Sequence, residues 1–174
     1  MTWMSIVLIG YRGCGKTTLG KRLADRLWQP FVDVDDLIVK KAGKTIKQIF
    51  DRDGEAAFRD LEVHAVNEAC AKAEHVIGLG GGSLGREENR NAIKASGHKV
   101  IYLKCDPKEL HRRIHADPQS SQTRPNLTPL GGGIDEITRL LAEREPLYRQ
   151  VMHAELDVTH LTPEDAVVYI ARLV

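Results

Sequence analysis

The sequence lacks an excess of either charge, long apolar runs and paired cysteines, and each absence excludes a class of protein. Lys and Arg number 25 against 24 Asp and Glu, for a net charge of +1, so no overall field would recruit nucleic acid or an anionic membrane. Apolar runs such as Val100–Leu103 fall far below the roughly 18 residues needed to span a bilayer. The amino-terminal segment has no basic region and no small-residue cleavage site, so we expect no signal peptide. Any anion-binding site must therefore be local.

The three cysteines, Cys14, Cys70 and Cys105, are an odd number without paired spacing. They predict reduced thiols and a cytoplasmic protein, because disulfides are rare in that compartment. The chain has no G-x-S-x-G, H-E-x-x-H or C-x-x-C motif, so nothing supports a serine hydrolase, a zinc protease or a thioredoxin-like enzyme. His111 and His115 are four residues apart on a predicted helix, but no third ligand is near them in sequence. This favours two solvated histidines over a metal site.

The length and the hydrophobic pattern indicate a single α/β domain. The chain has 174 residues, of which 42% are hydrophobic, enough for a real core. Short β-rich runs alternate with helical stretches, and this order predicts a parallel sheet. We expect strands near Ser5–Ile9, Phe31–Val34, His75–Leu79, Lys99–Leu103 and Glu155–Val158. We expect helices at Gly15–Trp28, Glu55–Ala73, Ile134–Met152 and Pro163–Leu173. Leu19, Leu23 and Leu27 give the first of these helices an apolar stripe.

The strongest chemical signal is a glycine-rich loop between the first strand and the first helix. Residues 10–17 read Gly-Tyr-Arg-Gly-Cys-Gly-Lys-Thr and match G-x-x-x-x-G-K-[ST] in full. Glycines let successive backbone N–H groups turn toward phosphate oxygens, and the helix N-terminus adds a partial positive charge. We therefore predict that Lys16 reaches the β- and γ-phosphates of a nucleotide and that the Thr17 hydroxyl is a ligand of Mg²⁺.

Two acidic residues stand at the end of the second predicted strand. Side chains alternate along a strand, so we expect Asp33 and Asp35 on one face near its carboxyl end, the edge where ligands bind in open α/β sheets. One carboxylate is expected to hold Mg²⁺ through water, and the other to accept a hydrogen bond from a substrate hydroxyl. The alternative is an acid that caps the next helix, a role that fits Asp36 best.

Three further segments leave more than one interpretation open. Arg59 and Glu62 form either a weak surface ion pair or a pair in which Glu62 orients the Arg59 fork toward a carboxylate. Residues 80–85 formally match the dinucleotide pattern G-x-G-x-x-G, yet only 68 residues follow Asp106. We therefore favour glycines that let the backbone approach a small ligand. Residues 117–133 contain three prolines and Gly131–Gly133, which indicates either a functional lid or a plain surface loop.

Taken together, the motifs resemble those of the shikimate kinase family over nearly the whole chain. The series is the loop at 10–17, Asp33-x-Asp35, Phe58-Arg59-x-x-Glu62, Gly80-Gly81-Gly82, Arg124-Pro125 and Arg144-Glu-Pro-Leu-Tyr148. Each motif is weak by itself, and it is their order that is specific. The resemblance implies a single kinase domain over residues 1–174, with a three-layer P-loop kinase fold in which helices flank a five-stranded parallel sheet. It also implies a substrate-binding segment at about 35–62 and a lid at about 113–133.

The resemblance implies a role for each residue that matches a family motif. Arg113 is implied to pack on adenine, with Pro163 on its other side. The implied catalytic residues are Lys16, Asp35 and Arg124, the last on the lid. The implied Mg²⁺ ligands are Thr17 and Asp33. The implied shikimate-binding residues are Asp35, Arg59, Gly81 and Arg144. The implied ATP-binding residues are Gly13, Cys14, Gly15, Lys16, Thr17, Thr18, Arg113 and Arg124.

The implied activity is transfer of the γ-phosphoryl group of ATP to the 3-hydroxyl group of shikimate, a step of aromatic amino acid biosynthesis. A gluconate kinase would have Asp-Gly-Asp-x-x-His at 33–39, and an adenylate kinase would have Gly-Lys-Gly-Thr in the loop; this chain has neither. A nucleotide-binding switch without turnover is the alternative from a different class. We expect small-molecule substrates only, no nucleic acid or membrane partner, and a monomer.

Overall fold

A five-stranded parallel sheet forms the centre of the protein. The computed structural model describes residues 4–119 and 131–174. The strands follow the order β2-β3-β1-β4-β5 across the sheet, and every neighbouring pair is parallel. Their bounds are β1 (Ile6–Ile9), β2 (Phe31–Asp33), β3 (Val76–Gly78), β4 (Lys99–Lys104) and β5 (Ala154–Asp157). Each lies within one or two residues of a predicted strand, and the parallel sheet is confirmed.

Helices cover the sheet in two layers. Those within the described ranges are α1 (Lys16–Leu27), α2 (Val34–Ala42), α3 (Ile46–Cys70), α4 (Glu87–Ser96), α5 (Pro107–Ala116), α6 (Ile134–Val151) and α7 (Pro163–Leu173). Helices α1 and α7 pack against each other beside the sheet, while α3 and α4 pack together and α6 contacts β4. A short 3₁₀ turn at Ser83–Gly85 precedes α4. The predicted three-layer α/β architecture is confirmed.

The sheet is buried because its central strands have apolar residues on both faces. All four residues of β1 are buried, as are the four middle residues of β4, which is the pattern of strands covered by helices on both sides. On α1, Leu19 and Leu23 of the predicted stripe are buried and Leu27 packs partly against the same core. The core therefore holds the sheet edge, and the loops that leave it, in a fixed frame.

Helix α3 begins nine residues before the predicted start. Thr45 accepts from the Gln48 backbone N–H and the Gln48 side chain accepts from the Thr45 backbone N–H, which is a reciprocal capping box. Gly54, at φ 86° and ψ 167°, then bends the chain inside the helix. The prediction of Glu55–Ala73 therefore found only the second half, because the Thr-x-x-Gln signal ahead of the first half was not used.

Close packing of α1 on β2 predicts a cost for any side chain at Gly20. A Cβ atom there would overlap the Phe31 ring, so we expect Gly20→Ala to lower the free energy of unfolding by about 1–3 kcal/mol through overpacking. Urea denaturation would measure this loss, and Phe31→Leu in the same chain should recover part of it. Gly85→Ala is the control, since no atom lies within 4 Å of a Cβ at that position. Equal stability of the two single variants would contradict the expectation.

Candidate active site

The glycine-rich loop leaves β1 and turns into α1 through three backbone positions that favour glycine. Gly10, Gly13 and Gly15 have φ values of 149°, 86° and 104°, a region that side chains rarely adopt. Space is also short, because a Cβ at Gly10 would lie 2.7 Å from the Leu103 carbonyl oxygen. The predicted strand-loop-helix context of the motif is therefore confirmed.

Lys16 is held across this loop by the loop's own backbone. Its Nζ donates to the carbonyl oxygens of Gly10 at 2.8 Å and Tyr11 at 3.0 Å. The Sγ atom of the buried Cys14 lies 3.7 Å from the same ammonium group. The positive charge therefore sits inside the curve of the loop, where it is placed to meet phosphate oxygens.

Asp33 joins the start of α1 to the start of α2. The Thr17 hydroxyl donates to Asp33 Oδ2 at 2.9 Å, and Asp33 Oδ1 accepts from the Asp35 backbone N–H at 2.9 Å. Asp33 is thus the N-cap of α2, and the interpretation that gave this role to Asp36 is wrong. The strand ends at Asp33, so Asp35 lies in the first helical turn and does not share a strand face with it. Because the Asp33 side chain caps the helix, α2 begins three residues before the start that a cap at Asp36 would give.

A cavity of about 810 Å³ lies over the loop and the carboxyl edge of the sheet. Arg113 crosses one wall, where its guanidinium donates to Glu109 Oε1 at 2.8 Å and to the Val158 carbonyl at 3.0 Å. Hydrogen bonds from Arg112, and to a smaller extent from Arg113, lower the pKa of Glu109 to about 2. The described residues predicted to bind ATP all line this cavity: Gly13, Cys14, Gly15, Lys16, Thr17, Thr18 and Arg113. Pro163 lines it as well.

A second, smaller cavity of about 60 Å³ adjoins the first. The two share four lining residues, Arg12, Asp35, Gly80 and Gly81. The remaining walls come from α3, α6 and the glycine run, and consist of Ile46, Phe50, Phe58, Arg59, Glu62, Gly82 and Arg144. The structure therefore brings all four predicted shikimate-binding residues, Asp35, Arg59, Gly81 and Arg144, to one place beside the phosphate loop.

Two arginine side chains meet at Gly82 in this second cavity. A Cβ at Gly82 would lie 2.9 Å from Arg59 Nη2 and 3.3 Å from Arg144 Nη2, so a glycine is what lets both guanidinium groups approach. Arg144 also stacks over Tyr11, with 5.3 Å between its Cζ and the ring centroid. Two adjacent guanidinium groups form a fork suited to a carboxylate. The glycine run serves this pocket, and the dinucleotide interpretation of residues 80–85 is wrong.

Comparison with known proteins identifies the family. The family model described as shikimate kinase matches residues 12–174. The shikimate kinase of Rhodopirellula baltica is 43% identical over 155 residues, covering 89% of this chain and 82% of its own. That of Symbiobacterium thermophilum is 40% identical over 167 residues, covering 94% and 92%. The chain belongs to the shikimate kinase family. It is therefore an ATP-dependent phosphotransferase that acts on an alcohol group.

Solved shikimate kinase structures share this fold over more than nine-tenths of their length. The shikimate kinase of Acinetobacter baumannii, in complex with shikimate, superposes with a TM-score of 0.90 at 33% identity, covering 99% of this chain and 93% of its own. That of Aquifex aeolicus gives a TM-score of 0.80 at 32% identity, covering 97% and 95%. The predicted P-loop kinase fold is confirmed.

Glu62 of this shikimate kinase family member is buried beside Arg59. Its carboxylate accepts from Arg59 Nη1 at 2.7 Å, and the exposed fractions of the two side chains are 1% and 17%. An ion pair this deep is far less screened than a surface pair. The interpretation of Arg59 and Glu62 as a surface pair is therefore wrong, and the geometry matches the one in which Glu62 orients the Arg59 fork.

Tyr148 belongs to a family motif, but no role for it was predicted from the sequence. Its hydroxyl donates to the Gly81 carbonyl oxygen at 2.6 Å, which ties α6 to the glycine run. Burial raises the pKa of Tyr148 above its ordinary value, so the phenol stays protonated and remains a donor. The spacing of Arg144 and Tyr148, four apart on one helix, could have indicated that both face the same site.

Arg12 and Phe50 are lining residues of the second cavity that the sequence analysis did not single out. The rings of Phe50 and Phe58 are 4.7 Å apart, and Arg59 Cζ lies 5.2 Å from the Phe58 centroid. Only 5% of the residues are aromatic. Two phenylalanines close to Arg59 in sequence could therefore have indicated an apolar wall of the binding site. Arg12 could have been noticed as a charged residue inside the phosphate loop.

Part of the predicted site lies outside the residues that the structure describes. Arg124 and most of the expected lid lie outside residues 4–119 and 131–174.

Within those ranges, no group of three or more His, Cys, Asp or Glu side chains could hold a metal ion, and the rings of His111 and His115 stack at 4.0 Å. Among the helices of residues 4–119 and 131–174, none combines the length and the hydrophobicity of a membrane span.

The Tyr148 hydrogen bond predicts a selective effect on shikimate. We expect Tyr148→Phe to raise the KM for shikimate about fivefold while the KM for ATP stays within twofold, because one hydrogen bond is worth about 1 kcal/mol. Steady-state kinetics with each substrate varied in turn would measure both constants. Tyr169→Phe is the matched control, on a tyrosine that is 50% exposed on α7. An unchanged KM for shikimate in Tyr148→Phe would refute the role of this bond.

Proposed function

We propose that this protein transfers the γ-phosphoryl group of ATP to the 3-hydroxyl group of shikimate, giving shikimate 3-phosphate and ADP. The observation that carries the proposal is the meeting of Arg59 and Arg144 at Gly82, in a cavity that shares residues with the phosphate loop. A phosphate site and a carboxylate site lie side by side. Phosphoryl transfer asks the protein mainly for such positioning and for charge stabilisation.

The two arginines account for selectivity toward an acidic acceptor. Arg59 and Arg144 present guanidinium groups that a single carboxylate would pair. A neutral sugar of the same shape would leave the cavity-facing N–H groups of both arginines without an acceptor after they lose their water, and buried polar groups without partners discriminate strongly. The Gly81 backbone, fixed by Tyr148, would lie along the ring of the bound acid.

Asp35 lines both cavities, where its carboxylate would meet the acceptor hydroxyl. Its Oδ1 atom would lie 3.1 Å from a Cβ at Gly80, and its backbone N–H is anchored on Asp33. A carboxylate at this position would accept a hydrogen bond from the attacking hydroxyl and receive its proton. Lys16 and the lid residue Arg124 would stabilise the charge that spreads over the transferring group.

Thr17 and Asp33 fit a Mg²⁺ ion that is held mostly by nucleotide and water. Their hydrogen-bonded oxygens are 2.9 Å apart and face the large cavity. Mg²⁺ takes oxygen ligands, keeps several waters and commonly uses one or two protein ligands together with substrate phosphates. When bound, the ion would neutralise charge on the β- and γ-phosphates.

The rest of the assignment belongs to the same proposal. Residues 35–62 would form the substrate-binding segment and 113–133 the lid of one kinase domain over 1–174. A closing lid would keep water from the reacting phosphate. Arg113, tied to Glu109 and to the Cys14 carbonyl at 3.3 Å, would offer a planar face to adenine. A monomer in the cytoplasm, without a nucleic acid or membrane partner, stays a prediction.

Two alanine variants separate the two halves of the site. We expect Lys16→Ala and Arg59→Ala each to lower kcat/KM by at least about a hundredfold. In Arg59→Ala the loss should appear largely in shikimate binding, whereas Lys16→Ala should still bind shikimate. Isothermal titration of each variant with shikimate measures this directly. Arg139→Ala is the matched control, because Arg139 is 65% exposed on α6. Near-normal shikimate affinity in Arg59→Ala would overturn its assignment.

A coupled ADP-release assay tests the activity itself. The protein is given ATP and Mg²⁺ with shikimate, gluconate, AMP or no acceptor. We expect turnover with shikimate alone. Turnover with another acceptor would keep the P-loop assignment but reject the carboxylate role of the two arginines. ATP binding without turnover on any acceptor would support a nucleotide-binding switch in place of an enzyme.

A further inference from the structure

A chain of buried polar groups continues beyond Glu62, away from the substrate cavity. Glu62, Ser83 and Asn89 are exposed by 1%, 0% and 0%. One Glu62 oxygen, Oε1, accepts from Arg59, and the other, Oε2, accepts from the Ser83 hydroxyl at 2.7 Å. The two oxygens of this carboxylate are therefore bound by different partners, one on α3 and one in the 3₁₀ turn.

Ser83 is itself fixed at both of its backbone groups. Its N–H donates to the Gly80 carbonyl at 3.1 Å, which closes the turn after the glycine run. Its carbonyl accepts from Asn89 Nδ2 of α4 at 2.8 Å. The hydroxyl therefore projects from a 3₁₀ turn whose backbone is tied to Gly80 on one side and to α4 on the other.

A carboxylate held at only one oxygen can rotate, whereas one held at both cannot without breaking a buried hydrogen bond. Rotation of Glu62 would swing Arg59 Nη1 and turn the remaining edge of the guanidinium away from Gly82. Arg59 has a second acidic neighbour, since its Nε lies 3.5 Å from Glu55 Oε1, a side chain that is 68% exposed. Without the Ser83 anchor, that exposed carboxylate would compete for the guanidinium group.

We propose that Ser83 is a positioning residue for the acceptor acid, which acts through Glu62 to hold the Arg59 fork in the orientation that binds a carboxylate. This inference rests on the proposed function, because it concerns how the same pocket recognises its substrate. It assigns a part in substrate selection to a residue that lines neither cavity. The determinant of selectivity thus extends from α3 through the 3₁₀ turn to α4.

The test compares Ser83→Ala and Ser83→Cys with the wild-type protein. Alanine removes the hydroxyl, whereas cysteine keeps an atom at the γ position but replaces the hydroxyl with a thiol, which is a weak donor. For both we expect the KM for shikimate to rise about tenfold, with the KM for ATP and kcat within about twofold. Ser96→Ala is the matched control, a serine whose hydroxyl donates to the Ile93 carbonyl at 2.7 Å, away from the site.

A substrate analogue without the carboxylate separates positioning from general damage. The ratio of kcat/KM for shikimate to that for the analogue should fall about tenfold in the Ser83 variants, because only the carboxylate contact is weakened. A variant that is merely less well folded would lose activity on both compounds equally, and that result would overturn the proposal. If Ser83→Ala does not fold, the Ser83→Cys variant, which keeps an atom at the γ position, decides the same question.

A double variant tests whether Ser83 acts through Arg59. Shikimate dissociation constants from calorimetry should show that Ser83→Ala adds little to the loss caused by Arg59→Ala, since groups that act in series are not additive. Fully additive losses would overturn the proposal. Failure of the proposed function is distinguishable, because the wild-type protein would then neither bind nor phosphorylate shikimate, whatever stands at position 83.

Discussion

The register of three parallel strands is the constraint on which the whole site depends. Gly78 of β3 is paired with Leu8 of β1 on one side and with Asp33 of β2 on the other. The three strands therefore end at one level, and the phosphate loop, the cap of α2 and the glycine run all begin within two residues of that level. The carboxyl ends of parallel strands lie at the same edge of a sheet. Three loops that are distant in sequence therefore become neighbours through the strand register alone.

The site concentrates positive charge in a chain whose net charge is only +1. Three of its cations are held by partners within the protein: Lys16 by carbonyl groups of its own loop, Arg113 by Glu109 and three carbonyl groups, and Arg59 by buried Glu62. Groups fixed in this way lose little freedom when an anion arrives, which is how preorganised sites stabilise charge. Local attraction of phosphate and carboxylate therefore needs no overall basic surface.

Prediction from sequence succeeded where the signal is local and failed where burial decides. The phosphate loop was predicted because glycine spacing and the flanking apolar runs are sufficient for it. Thr17 and Asp33, the two residues implied to bind Mg²⁺, lie within hydrogen-bond distance of each other, and their role as ligands stays a prediction. The cap of α2 was assigned to Asp36, but Asp33 makes it, because the strand ends at Asp33 and the helix follows without a loop. Glu62 looked like one half of a surface pair, since spacing on a helix says which residues are neighbours but not which side of the helix is covered.

The sequence by itself determined the α/β alternation, the phosphate loop and the family, because these depend on periodicity and on motifs only a few residues long. The resemblance implied that Arg59 and Arg144 bind one substrate, but only the tertiary structure decided that they meet at Gly82. It also decided that Tyr148 binds the Gly81 carbonyl and that Ser83 binds the second oxygen of Glu62. These contacts join α3, α6 and the turn before α4, which are far apart in the chain. Their geometry follows from how helices pack on a shared core, and packing is a property of the whole fold and not of any segment.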